Sequence, residues 1–203
     1  MKQLYSRLTV CVLLLVSVAC VQAQGPQPFS ADVAISAPKG ENVTGKIYMS
    51  MPKSRWDMTT RGQTMSMITD GATQTSYMVM HQQRMYMEIH ANQMNSMAQS
   101  MPKVDTNFDP QNPCGKNMTC KKVGTETING RVCDKWVTTL KNGKTNTAWI
   151  DQKLFFPIKT LSDDGRTMEL SNIKEGASPA STFAVPEGYK KIDMGSMGGR
   201  PQK

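Results

Sequence analysis

The sequence is poor in the residues that most enzyme chemistry needs. Its 203 residues hold two histidines, His81 and His90, and aromatic residues make up 6%. No metalloprotease helix, nucleophile elbow, phosphate-binding loop or Gly-rich dinucleotide turn occurs. Glu88 falls on the same side of a strand as His90, a commonplace spacing, and Asp163-Asp164 belongs to a DDG stretch that simply makes a turn. We therefore expect no catalytic residue, no metal and no cofactor. Acid is scarcer than base, 16 Asp and Glu against 24 Lys and Arg for a net charge of +8. The basic residues are scattered rather than interleaved with aromatics, which argues against a nucleic-acid partner.

Long apolar runs are also missing, with one exception. "LTVCVLLLVSVAC" at residues 8–20 follows Lys2 and Arg7 and is too short for a membrane span, which takes about 20 apolar residues. With small residues at Val21 and Ala23, it reads as a signal peptide over residues 1–23, cleaved before Gln24. The expected location is the periplasm or the exterior, and the alternative is a membrane-anchored lipoprotein acylated at Cys20. Five cysteines are present, and Cys114, Cys120 and Cys133 remain beyond the leader. In an oxidising compartment three thiols allow one bridge and one leftover. A hairpin turning at Asn129-Gly130 holds Cys120 and Cys133 roughly 20 Å apart, beyond the reach of a disulfide. Cys114 can close a small ring with Cys120 or reach Cys133, and Cys114–Cys120 is the expected bridge.

What the chain has in quantity is methionine, 17 residues in all. Many lie in residues 28–90, where turn signals such as "TRGQ", "TDGA" and "HQQR" separate short runs of period two. That pattern predicts six antiparallel strands in sequence order. Side chains alternate along a strand, so the parity of each loop fixes which residues share a face. Turns at Pro52-Lys53, Arg61-Gly62, Asp70-Gly71 and Gln82-Gln83 place Phe29, Val33, Ile35, Ile47, Met49, Met51, Trp56, Met58, Met65, Met67, Met78, Met80, Met85 and Met87 on one side. Ser50, Arg55, Asp57, Ser66 and Glu88 fall on the other, with Tyr48, Ile68, Tyr77, Val79 and Tyr86 among them. One oily and one mostly wet face is expected.

Next, His90, Met94, Met97 and Met101 recur at helical spacing up to Pro102, predicting a short amphipathic helix whose natural partner is the methionine face. Later runs predict hairpins about Asn129-Gly130 and Asn142-Gly143, setting Val123 opposite Trp136 and Trp136 opposite Trp149. The tail at residues 195–203 is flexible by composition. A methionine face admits three readings: a packed core, a deformable apolar ligand cavity, or a Cu(I) trap built from Met-x-Met pairs and His90.

"GKIYMSMPKSRWDM" and "MITDGATQTSYMV", followed by "WIDQKLFFPIK" and "FAVPEGYKK", resemble in order and spacing the LolA-like superfamily of periplasmic lipoprotein carriers. The likeness spans residues 28–194. The resemblance implies a mainly β fold, a half-open, curved antiparallel barrel whose concave apolar face is covered by helix and receives acyl chains. It implies one domain over residues 24–194, with a lipid or the acyl chain of a lipoprotein as partner and an envelope protein as a further one. The ligand-binding residues it implies are Phe29, Val33, Ile47, Met49, Trp56, Met58, Met65, Met67, Met78, Met80, Met85, Met87, Met94 and Met97. Met51 stands where the carriers have a basic residue before the Pro.

Overall fold

A computed structural model describes residues 26–38, 40, 42–90, 119–140 and 142–193. The leader, the tail, Cys114 and the expected 91–101 helix with Met94 and Met97 lie outside the described residues. Six hairpin-linked strands come first: β1 (Phe29–Ser36), β2 (Val43–Ser50), β3 (Lys53–Thr60), β4 (Gln63–Asp70), β5 (Thr75–Met80) and β6 (Met85–His90). The second series is β7 (Thr119–Ile128), β8 (Arg131–Thr139), β9 (Thr145–Asp151), β10 (Pro157–Leu161) and β11 (Thr167–Glu175). A 3-10 turn, Ala180–Phe183, and β12 (Lys190–Ile192) complete the fold. All twelve strands form one sheet in the order β12-β6-β5-β4-β3-β2-β1-β11-β10-β9-β8-β7. The fold is mainly β, a curved open sheet of the half-open barrel kind.

The turn chemistry explains the hairpins. Arg61-Gly62 and Asn129-Gly130 both have positive φ at each central residue (48° and 73°, 49° and 77°), the backbone that matches strand twist in two-residue hairpins. The registers differ from the simplest expectation by even steps. Met67 pairs with Met78 and Met65 with Met80 because four residues, not two, separate Asp70 from Thr75. Ile47 pairs with Trp56 and Met49 with Ser54, since the turn falls at Met51-Pro52. Phe29 faces Met49. An even slip keeps every side chain on its own face, so the predicted segregation holds across β1–β6. Met51 leaves the set, exposed at its turn.

In the second half an odd slip has the opposite effect. Thr139 pairs with Thr145, so Trp136 faces Ala148 and Lys135 faces Trp149. The expected Trp136–Trp149 pair is thus replaced by two indoles on opposite faces. A bulge between Lys122 and Gly124 likewise puts Lys122, not Val123, opposite Trp136. Cys133 pairs with Glu126 as expected.

The main core joins Phe29, Ala31, Val33 and Ile47 to Leu154, Ile158 and Leu170. The loop between β9 and β10 plugs this region, with Phe156 edge-on to Phe29 at 5.3 Å and tilted against Trp56 at 6.4 Å. Asp151, 2% exposed, organises that loop: its Oδ1 accepts the amide protons of Lys153 (2.8 Å) and Leu154 (2.7 Å), and Oδ2 accepts from Arg131 Nε at 2.5 Å. Arg131 also donates to Glu175 at 3.0 Å, while Asn129 donates to the Leu170 carbonyl at 3.0 Å. These bonds draw the β7–β8 hairpin against β11 around the plug.

Gly45 allows β2 and β3 to approach. A Cβ there would lie 1.8 Å from the Asp57 carbonyl oxygen, which is backbone and cannot swing away. Gly45→Ala should therefore lower stability by about 1–3 kcal/mol, the usual cost of overpacking. Urea unfolding measures it, and an unchanged midpoint would mean the two strands have slack.

Candidate functional site

The register builds two rows of side chains across β3–β6. Met58, Met65, Met80 and Met85 are neighbours in one row, and Trp56, Met67, Met78 and Met87 in the next. Neighbouring strands are about 4.8 Å apart, so each row is roughly 15 Å long and the rows lie about 7 Å apart. The same face of these four strands adds Ser54, Thr60, Gln63, Thr69, Ser76 and Ile89 and carries no charge. Lys53, Arg55, Asp57, Asp70, Glu88 and His90 all point to the far side by strand alternation.

Exposure separates the expected site residues into two groups. Phe29, Val33 and Ile47 are buried in the core. Met49, Trp56, Met58, Met67, Met78, Met80 and Met85 are half-buried, Met87 is buried, and Met65 is 41% exposed. The half-buried group is contiguous and bounded on the β2 side by Phe156. Thioether side chains have three rotatable bonds and a polarisable sulfur, so such a face can conform to irregular apolar shapes.

The far face is not simply wet. Ser66, Ile68 and Val79 are 1%, 1% and 0% exposed there, on the side where the C-terminal segment runs. Arg55 Nη1 donates to the Thr182 carbonyl at 3.0 Å and Arg55 Nε to Asp57 Oδ1 at 2.7 Å. Ser66 Oγ donates to Asp57 Oδ1 at 2.5 Å and lies 2.6 Å from His81 Nε2. The serine proton is committed to the carboxylate, which leaves His81 Nε2 as the donor to Ser66. His81 Nδ1 lies 3.0 Å from the Tyr189 hydroxyl, within hydrogen-bonding distance. Serine, histidine and aspartate meet here, but in an order that makes a brace. Asp57 holds the serine rather than orienting the histidine, and Ser66 is closed to solvent. The brace fastens residues 180–189 to the sheet, and β12 then adds to β6 in parallel. Sequence reasoning missed it, since Tyr189 and His81 are 108 residues apart.

His90 lies on this far face too, its Nε2 3.3 Å from Glu88 Oε1 and its side chain 53% exposed. It cannot join the methionine rows through the sheet. Among the described residues no cluster of three or more His, Cys, Asp or Glu is placed to hold a metal ion. A cavity of about 360 Å³ lies at the other end of the sheet between Trp136, Ile150 and Phe155. Its ions are paired, Lys122 with Asp134 at 2.7 Å and Asp151 with Arg131.

Cys133 is a free thiol at 0% exposure, and burial pushes its pKa up to about 11. It is thus a poor nucleophile at neutral pH. Iodoacetamide should leave Cys133 unmodified in the native protein and label it after unfolding, as peptide mass mapping will read. Rapid native labelling would contradict this burial. Burial alone would raise the Asp151 carboxyl, but the hydrogen bonds from Arg131 and from the Leu154 and Lys153 amides outweigh it and hold the pKa below its ordinary value. A depressed carboxylate stabilises the fold above its unfolded pKa, and that contribution is lost as pH falls through the folded one. Asp151→Asn should therefore destabilise the protein at pH 7, with the gap from wild type narrowing below about pH 4. Thermal unfolding across pH tests this, and a gap independent of pH would overturn it.

These features define a class: a curved open sheet, antiparallel from β1 to β11, with an uncharged, thioether-lined face across β3–β6 and a strapped far face behind it. The chain belongs to the family described as a domain of unknown function, DUF4412, whose model matches residues 30–155. No curated protein matches the sequence. Among solved structures, the chain is similar to an uncharacterised conserved protein of Thermus thermophilus. Their TM-score is 0.57 at 10% identity, covering 83% of this chain and 91% of that one. MucB matches with a TM-score of 0.51 at 15% identity, over 80% of this chain and 58% of that one. LolA superfamily proteins are also among the matches. One from Nitrosomonas europaea has a TM-score of 0.36 at 11% identity, covering 78% of this chain and 90% of that one. At such identities the likeness concerns the fold alone.

Proposed function

We propose that this is an exported, non-enzymatic envelope protein that holds a lipid or acyl chain, such as that of a lipoprotein, against its methionine face. The observation that carries this reading is the pair of cross-strand rows on a face without charge across four strands. An extended hydrocarbon chain gains about 0.8 kcal/mol for each methylene removed from water and asks for no hydrogen bond. A flexible thioether surface supplies that burial without selecting one chain shape. The working location is the periplasm, reached through cleavage after residue 23, with a Cys20 lipid anchor as the alternative. The cover expected from Met94 and Met97 and the expected Cys114–Cys120 bridge involve residues outside those described.

The Cu(I) reading with His90 loses support, because His90 stands on the opposite face from the thioethers. A packed interaction domain without ligand stays as the competitor, and it predicts no uptake of a lipid probe.

Titration with 11-dansylaminoundecanoic acid, followed by dansyl fluorescence, separates these readings. Wild type should give a saturable, blue-shifted enhancement. Replacing Met67 and Met80 together by Asp should weaken binding by about 100-fold or more, since burying an unpaired carboxylate is costly. Thr44→Asp, on the far face, should leave it unchanged. Equal loss in both variants, or no uptake by wild type, would overturn the assignment.

A further inference from the structure

Met65 is the point at which the thioether rows meet solvent. It stands inside the first row, flanked in register by Met58 on β3 and Met80 on β5, and it is 41% exposed. Its row neighbours Met58, Met80 and Met85 are half-buried. The free thiol among the described residues, Cys133, is sealed at 0% exposure. An oxidant reaching the described residues therefore meets thioethers before it meets a free thiol, and within the rows it meets Met65 first.

We propose that Met65 is an oxidation site that switches the methionine face from binding to non-binding, an inference resting on the acyl-chain reading above. In the step, the Met65 sulfur attacks the distal oxygen of a hydroperoxide. The O–O bond breaks, an S=O bond forms, and the departing oxygen leaves as water or an alcohol. Sulfur is oxidised by two electrons and the peroxide is reduced by two. The product is a strong hydrogen-bond acceptor in the middle of an apolar row. Within the row the sulfoxide's neighbours are thioethers, which have no proton to donate to it. A chain lying over the row would strip water from the sulfoxide without replacing its hydrogen bonds, and so binds less well. Thiol-dependent reduction of the sulfoxide restores the thioether and the binding surface.

Met51 provides the internal control. At 62% exposure it is more open than Met65, but it sits at the β2–β3 turn outside both rows. Graded hydrogen peroxide should oxidise both residues, read by peptide mass mapping. Dansylaminoundecanoic acid affinity should fall about tenfold in step with Met65 sulfoxide. Met65→Leu, whatever its own affinity for the probe before treatment, should keep that affinity after the same dose. Met51→Leu should lose affinity as wild type does, and methionine sulfoxide reductase should restore wild type. Unchanged affinity once Met65 is mostly sulfoxide, or equal protection by both variants, would overturn the switch while leaving the binding face in place. Absence of probe binding before any peroxide is the distinct outcome that overturns the acyl-chain reading, and the switch with it.

Discussion

Everything in the first half of this molecule depends on side-chain alternation being carried intact through five successive hairpins. A loop that gains or loses one residue sends all later side chains to the opposite face, whereas a change of two leaves them where they were. Between β1 and β6 the connections keep Phe29, Met49, Trp56, Met67, Met78 and Met87 on the same side. The charges are thereby confined to the far face. An uncharged surface of this width is a consequence of loop parity as much as of composition.

The same constraint explains what could be read in the sequence and what could not. The methionine face was legible because each registration difference in β1–β6 was even, so a turn placed too early, at Asp70-Gly71, still left Met67 on the right side. The Trp136–Trp149 pair was not legible. Its loop spans Leu140 to Lys144, an odd length, and Leu140 and Lys144 are joined by a backbone hydrogen bond of 2.8 Å. Trp149 instead lies under the ammonium groups of Lys135 and Lys159, 5.0 and 5.7 Å from its ring, and donates to Glu126 at 2.7 Å. The slip is set inside that loop, where Gly143 takes a φ of 78° and its amide donates to the Leu140 carbonyl at 2.9 Å.

Long-range polar contacts were the second blind spot. Ser66, Arg55 and Asp57 read as a solvated face, since charged and hydroxyl residues alternating with methionine usually are. In the fold they anchor the segment carrying Thr182 and Tyr189, and the short parallel strand β12 then pairs beside β6. β12 thereby covers the β6 edge, where an unpaired strand would invite aggregation. The brace also holds the strands from the side opposite the thioethers.

The central claim concerns what rests on the methionine face in the cell. Native mass spectrometry of the protein purified from its own envelope fraction, without detergent exchange, tests it most directly. The account predicts a stoichiometric mass increment that collisional activation releases as an acyl-bearing lipid or lipoprotein fragment. A bare polypeptide mass, or an increment matching copper alone, would contradict it.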